Sequence, residues 1–150
     1  ETGRKVVLAF AGDHAPSFVD HVADKTRTEG NDLQILERST PFFIWANYPL
    51  ENIDAATSTA DPLNRIDMVM LAPTIAQQAG LPLTGYYKYL LAMKQQTPVV
   101  TAANDYMKVD GTTGTYGEDE SLDAWVKGYL ALEYNNIGAH AKRVQSIFGQ

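Results

Sequence analysis

Six residues in a row, Val6 to Ala11, are apolar, and they run straight into Gly12-Asp13-His14-Ala15-Pro16. A run this short, apolar at every position and closed by glycine, predicts a strand buried on both faces, as in a parallel sheet. It comes after a polar start of only five residues, Glu1 to Lys5. So abrupt an opening is expected of a piece cut from a longer chain. The residues just past the strand matter as much: a carboxylate and an imidazole stand side by side where open α/β sheets bind ligands, outside the carboxyl end of a strand.

Composition narrows the classes. Hydrophobic residues make up 45% and charged residues 20% of the 150, close to the globular average, which argues against disorder or a fibrous repeat. The formal charge of -6 leaves no basic footprint for tracking a phosphate backbone, so nucleic acid is not an expected partner. With no cysteine, disulfides, thiolate metal sites and cysteine nucleophiles are excluded, and any metal must be held by oxygen and nitrogen. No stretch approaches the roughly 20 apolar residues of a membrane helix and no signal-peptide pattern opens the chain, so the chain as given is expected to be soluble.

The remaining elements are read from local signals. Ser17 caps an expected short helix with Phe18, Val19 and Val22 on one face and Asp20, His21, Asp24 and Lys25 elsewhere, succeeded by a polar loop from Thr26 to Asn31. Pro41 to Ala46 reads as a second strand, and Asn47 to Pro62 as a surface excursion. A helix is predicted from about Ile66 to Ala79, with Pro73 making its first turn irregular and Gly80 and Pro82 ending it. Thr84 caps a third helix through Met93 that stops before Pro98, and Val99 to Ala102 form a short strand. Asn104 to Glu120 is expected to be a hairpin or surface loop around Asp110-Gly111. From Ser121, the residues Leu122, Trp125, Val126, Tyr129 and Leu130 recur at i, i+3, i+4, i+7 and i+8, which predicts a helix with that stripe facing the core. No repeat or linker divides the chain, so residues 1–150 are read as one α/β unit.

Asp13 and His14 are the candidate metal ligands: an Asp oxygen and a His nitrogen suit zinc, manganese or magnesium, but two neighbours cannot fill a coordination shell. The bland alternative is a turn, in which Asp13 bonds local backbone amides and His14 is exposed.

Three segments together resemble a known family. Val6 to Pro16 is similar to the strand-then-Gly-Asp-His segment of sulfatase-like domains in the alkaline phosphatase superfamily, with the nearest likeness in the lipoteichoic-acid-synthase-like phosphoglycerol transferases. Thr40-Pro41-Phe42-Phe43-Ile44-Trp45-Ala46-Asn47 is similar to that family's late strand, and Leu71 to Pro82 to its late helix. Tyr86, Tyr87, Tyr89 and Leu90, the Pro98 to Thr101 strand and the last helix with Tyr134 and Asn135 continue in the same order, so the likeness spans roughly residues 4–138.

The resemblance implies a mixed, mostly parallel sheet with helices on its faces, an incomplete, C-terminal portion of one sulfatase-like domain. It implies that Asp13 and His14 help to hold a catalytic divalent ion, manganese, magnesium or zinc. In such enzymes the nucleophile is a Thr, or a modified Cys or Ser, well upstream with another acidic ligand; Thr2, Thr26 and Thr28 lack the strand-to-helix setting, so no catalytic residue is assigned in this chain. For the complete domain the implied reaction is displacement at phosphorus by the threonine alkoxide to give a covalent phosphoglyceryl-threonine, which an acceptor hydroxyl then displaces. The implied setting is the outer or periplasmic face of a bacterial cell envelope, with a lipid-linked or glycan substrate, a parent protein anchored in the membrane, and the rest of the catalytic domain as partner. The chain alone is then expected to bind metal weakly and to be inactive.

Two other classes stand beside this reading. Met70 occupies a position where many sulfatase-like helices carry Asp, and with the missing nucleophile this favours a non-catalytic α/β binding or scaffold module. A hydrolase of sulfate or phosphate esters differs only in substrate and acceptor. Other segments take plainer readings. His21 belongs to a solvated face, His140 to a polar terminus, and Gly111 to Gly117 to a turn lacking the Lys-Ser/Thr of a phosphate loop. Glu118-Asp119-Glu120 favours a helix N-terminus, and Tyr86, Tyr87 and Tyr89 read as semi-buried packing rather than a sugar platform. Trp45 and Trp125 are expected in core positions.

Overall fold

The apolar run does form a strand, β1 (Val7–Ala11), and its partner β2 (Phe42–Ala46) lies where the Phe-Phe-Ile-Trp sequence places it. These come from a computed structural model that describes residues 3–14, 35, 38–54, 57–58, 64–101, 105–138 and 142–149. The helix expected after Ser17, the loop at 26–31, His21 and His140 lie outside the described residues. By its internal contacts the chain forms two compact units, Glu1–Leu50 and Glu51–Gln150.

In the first unit β1 and β2 pair antiparallel, Leu8 opposite Trp45 and Phe10 opposite Phe43. This corrects the expectation of a mostly parallel sheet buried on both faces. The side-chain period of two puts Val6, Leu8, Phe10, Phe43 and Trp45 on one face of the ribbon, and all five are exposed. Phe10 and Phe43 stack on each other with centroids 5.4 Å apart, which shields part of each ring. Trp45, expected in a core, is 53% exposed. A continuous apolar run specifies a strand but not what covers it, and among the described residues no further strand joins this pair.

The second unit combines helices with a small sheet. Asp67 caps a 3-10 turn, Met68–Met70, by accepting from the Val69 amide at 3.1 Å, and α1 (Leu71–Gln78) continues directly from it. Pro73 falls in the first turn of α1, where an amide hydrogen is not needed, so the irregularity expected there takes the form of the 3-10 turn. Gly80, at φ +68, closes the helix: its amide reaches the Gln77 carbonyl and that of Leu81 the Ala76 carbonyl, the paired bonds of a Schellman motif. Thr84 caps α2 (Gly85–Lys94) through the Tyr87 amide.

Strands β3 (Val99–Val100), β4 (Asp105–Met107) and β5 (Thr113–Thr115) form an antiparallel sheet in chain order, with the β4–β5 turn built on Asp110-Gly111. Asp110 accepts from both the amide and the hydroxyl of Thr112, so the glycine-rich run is turn and strand, as expected. Helix α3 (Glu120–Ile137) is capped by Asp119 rather than begun by Ser121, because the Asp119 carboxylate accepts from the Ser121 and Leu122 amides. A last short helix, α4 (Gln145–Phe148), packs on α2.

The core of this unit is Met70, Met93 and Val126, with Ile66, Val69, Tyr89, Val100, Trp125 and Tyr129 packed around them. Four of the five stripe residues of α3 therefore face inward, since Leu122 is buried too, whereas Leu130 is exposed. The architecture of the described residues is mixed α/β with small antiparallel sheets.

Candidate functional site

Asp13 and His14 leave the carboxyl end of β1 one residue beyond the ladder. Gly12 still extends the pairing, its amide donating to the Pro41 carbonyl at 3.0 Å. The Thr40 hydroxyl donates to the Gly12 carbonyl at 2.9 Å. Residue 12 is a glycine for space: a Cβ there would stand 2.8 Å from Thr40 Cβ, closer than two carbons approach.

Beyond this clamp both side chains turn to solvent, Asp13 89% and His14 79% exposed. Asp13 Oδ1 accepts from the His14 amide at 2.9 Å, the local bond expected of a turn. Its other oxygen, Oδ2, lies 3.6 Å from His14 Nε2. Two ligands of one tetrahedral zinc, each roughly 2.1 Å from the ion, stand about 3.4 Å apart. The spacing and the donor types therefore fit one divalent cation shared by the two side chains. They provide two ligands only; among the described residues no group of three His, Asp or Glu side chains converges. Thr2, Thr26 and Thr28 lie outside the described residues.

Two further polar clusters, both in the second unit, were not singled out by sequence. Lys94 is wholly buried, and its ammonium lies 2.9 Å from Asp54 Oδ2 and donates to Thr74 Oγ1 at 2.9 Å. Gln95 Nε2 donates to the same Asp54 oxygen at 3.2 Å, and the Thr57 hydroxyl donates toward Asp54 Oδ1 while accepting from Gln78 Nε2. The network ties Asp54 and Thr57 to α1 and α2. Its signal in the sequence was position: Lys94 stands four residues after Leu90 and three after Leu91, on the buried stripe of α2.

The second cluster joins Asp67, Tyr86, Tyr129 and Glu133. Burial pushes the Asp67 carboxyl up, against the amides of Val69 and Val100 that favour its charged form. Burial likewise raises the Tyr129 phenol well above its ordinary range, and its hydrogen bond to Glu133 Oε1, 3.0 Å long, holds the proton further. The tyrosines of α2 are packing residues, as expected: Tyr86 lies against Phe148 and Tyr89 against Trp125, with ring centroids 5.2 and 5.3 Å apart.

An apolar cleft of about 440 Å³ opens between α2, α3 and α4, lined by Gly85, Tyr89, Gly128, Ala131, Leu132 and Ile147. Among the described residues no helix is long and apolar enough to cross a membrane. Comparisons with family models, with curated proteins and with solved structures find no match for this chain.

Proposed function

We propose that this chain is the C-terminal portion of a sulfatase-like domain, of the kind that transfers phosphoglycerol or another phosphoryl group onto lipid or glycan acceptors of a bacterial cell envelope. Asp13 and His14 are its contribution to a divalent metal centre. One observation carries the reading: at the end of β1, in the segment similar to the family's Gly-Asp-His, a carboxylate oxygen and an imidazole nitrogen lie 3.6 Å apart and face solvent. The bound cation would supply Lewis-acid charge at phosphorus, and His14 would offer a neutral nitrogen while Asp13 offers a countercharge. The nucleophile and the remaining ligands belong to the rest of the domain, as does the membrane anchor of the parent. The apolar ribbon face of Leu8, Phe10, Phe43 and Trp45 supports that partner, since so many large side chains seldom stay uncovered together.

The 150-residue chain, titrated with Mn²⁺ and monitored by paramagnetic broadening of its amide spectrum, tests the assignment. Broadening centred on Asp13 and His14, with weak affinity and loss in Asp13→Ala, is expected. Binding elsewhere, or binding that Asp13→Ala leaves intact, would sink it and favour the non-catalytic module.

A further inference from the structure

We infer that Thr40 is a positioning residue for the Asp13–His14 pair, an assignment that rests on reading those two side chains as metal ligands. The link is a single peptide plane. Thr40 Oγ1 donates to the Gly12 carbonyl at 2.9 Å, and that carbonyl shares its rigid plane with the Asp13 amide, so the hydroxyl sets the direction in which the chain leaves β1. The other side of Gly12 is held as well, through its amide to the Pro41 carbonyl at 3.0 Å. From Asp13 the order continues outward: Oδ1 takes the His14 amide at 2.9 Å and Oδ2 faces Nε2 at 3.6 Å.

Both ligands are mostly exposed, so the backbone beneath them is a place where order can be set. The sequence equips Thr40 for this. Pro41 confines the residue before it to extended backbone, and the branch at Cβ restricts the Thr40 rotamer. Gly12 is the matching half, since a Cβ at 2.8 Å from Thr40 Cβ would push the hydroxyl off its carbonyl.

The test uses the whole chain and the variants Thr40→Val, Thr40→Ser and Gly12→Ala, with Phe10–Phe43 ring contacts in the spectrum confirming that the ribbon still forms. Amide order parameters at Asp13 and His14 should fall from the rigid value near 0.85 toward about 0.6 in Thr40→Val and Gly12→Ala, and stay high in Thr40→Ser. Mn²⁺ affinity should drop about five- to tenfold in the first two and be retained in the third. Unchanged order parameters in Thr40→Val overturn the inference, as does unchanged affinity where Asp13→Ala abolishes binding. If Asp13→Ala binds as tightly as the parent chain, the metal reading falls instead, and the order parameters alone still decide whether Thr40 clamps the turn.

Discussion

Removing the carboxylate of Asp54 should be one of the most damaging single changes in the second unit. Lys94 has no exposed surface, and its ammonium is held by Asp54 Oδ2 and Thr74 Oγ1, both at 2.9 Å. In Asp54→Ala the cation stays in place with the neutral Thr74 hydroxyl as its acceptor. Breaking a buried pair in this way costs about 3–5 kcal/mol; Asp54 keeps 23% of its side-chain exposure, so water can approach and the lower end, about 3 kcal/mol, applies. For a unit of this size that corresponds to roughly 12 °C or more in melting temperature. Lys94→Met should be milder by at least about 1 kcal/mol, because the buried stem is replaced by an apolar chain of similar volume, while Asp54 retains Gln95, Thr57 and solvent. The double variant should cost less than the sum of the two, with a coupling of about 2 kcal/mol. Urea unfolding monitored by tryptophan fluorescence measures all three, in a Trp45→Phe background so that Trp125 alone reports the second unit. A loss below about 1 kcal/mol in Asp54→Ala, or a larger loss in Lys94→Met, would refute the reasoning.

Three further outcomes are expected. A Cβ on Gly128 collides with the Tyr89 hydroxyl, which donates to the Trp125 carbonyl at 2.7 Å, so Gly128→Ala should destabilise by about 1–3 kcal/mol despite the better helix propensity of alanine. In a Tyr89→Phe background that penalty should shrink, and a thermal melt of the four proteins shows whether it does. Met93→Ala empties the centre of the Met70–Met93–Val126 core and should cost about 2–5 kcal/mol in the same urea assay. The carboxyls of Asp119 and Asp67 should respond to pH with opposite signs. Lys108 foremost, then Ser121 and the Leu122 amide, hold the Asp119 carboxyl far below the carboxylate range, so its stabilisation is complete above the unfolded value near 3.9 and is lost as pH falls below it. Burial raises Asp67, so its contribution is complete in acid and is lost as pH rises through its folded value. Asp67→Asn should therefore stabilise at about pH 7 and lose that advantage below about pH 4, whereas Asp119→Asn should flatten the acid limb; melts from about pH 2 to 7 that show neither trend would contradict both assignments.

Signals carried by a few adjacent residues were legible. The Thr84 cap, the Gly80 stop, the Asp110-Gly111 hairpin and the end of β2 at Ala46 each depend on local backbone chemistry, and each stands where the sequence puts it. What depends on a distant partner was not legible. Six apolar residues at 6–11 predict a strand, but parallel or antiparallel pairing, and the face that stays open, are set by β2, whose Phe42 pairs with Ala11. Trp45 and Leu130 were misplaced for the same reason, because an apolar side chain does not reveal whether anything lies above it. The last long helix begins one residue before Ser121 because the Asp119 carboxylate, anchored by Lys108 at 2.8 Å, accepts two amides as its cap. At the candidate site, the Asp13–His14 pair was visible because it adjoins its strand, whereas Thr40 lies 28 residues from the carbonyl it holds.

The perturbed acids of the second unit show why perturbation alone does not mark chemistry here. Asp119 is shifted because it pairs with Lys108 and caps α3; Asp67 because burial outweighs the cap bond to Val69 that favours its charged form; Tyr129 because it is packed against the core and donates to Glu133. Each shift is explained by a bond or a burial that holds the fold together, as structural networks commonly do. Asp13 and His14 are distinguished by another criterion. Their backbone is clamped from below by Thr40 and Pro41, while an acceptor oxygen and a ring nitrogen lie outward at a separation that one cation can span. The buried groups are held by polar partners within the fold, whereas Asp13 and His14 are anchored through the backbone beneath them and leave most of both side chains exposed. That contrast within a single chain is the physical reason for placing the candidate chemistry at the end of β1 rather than in the better-packed helical unit.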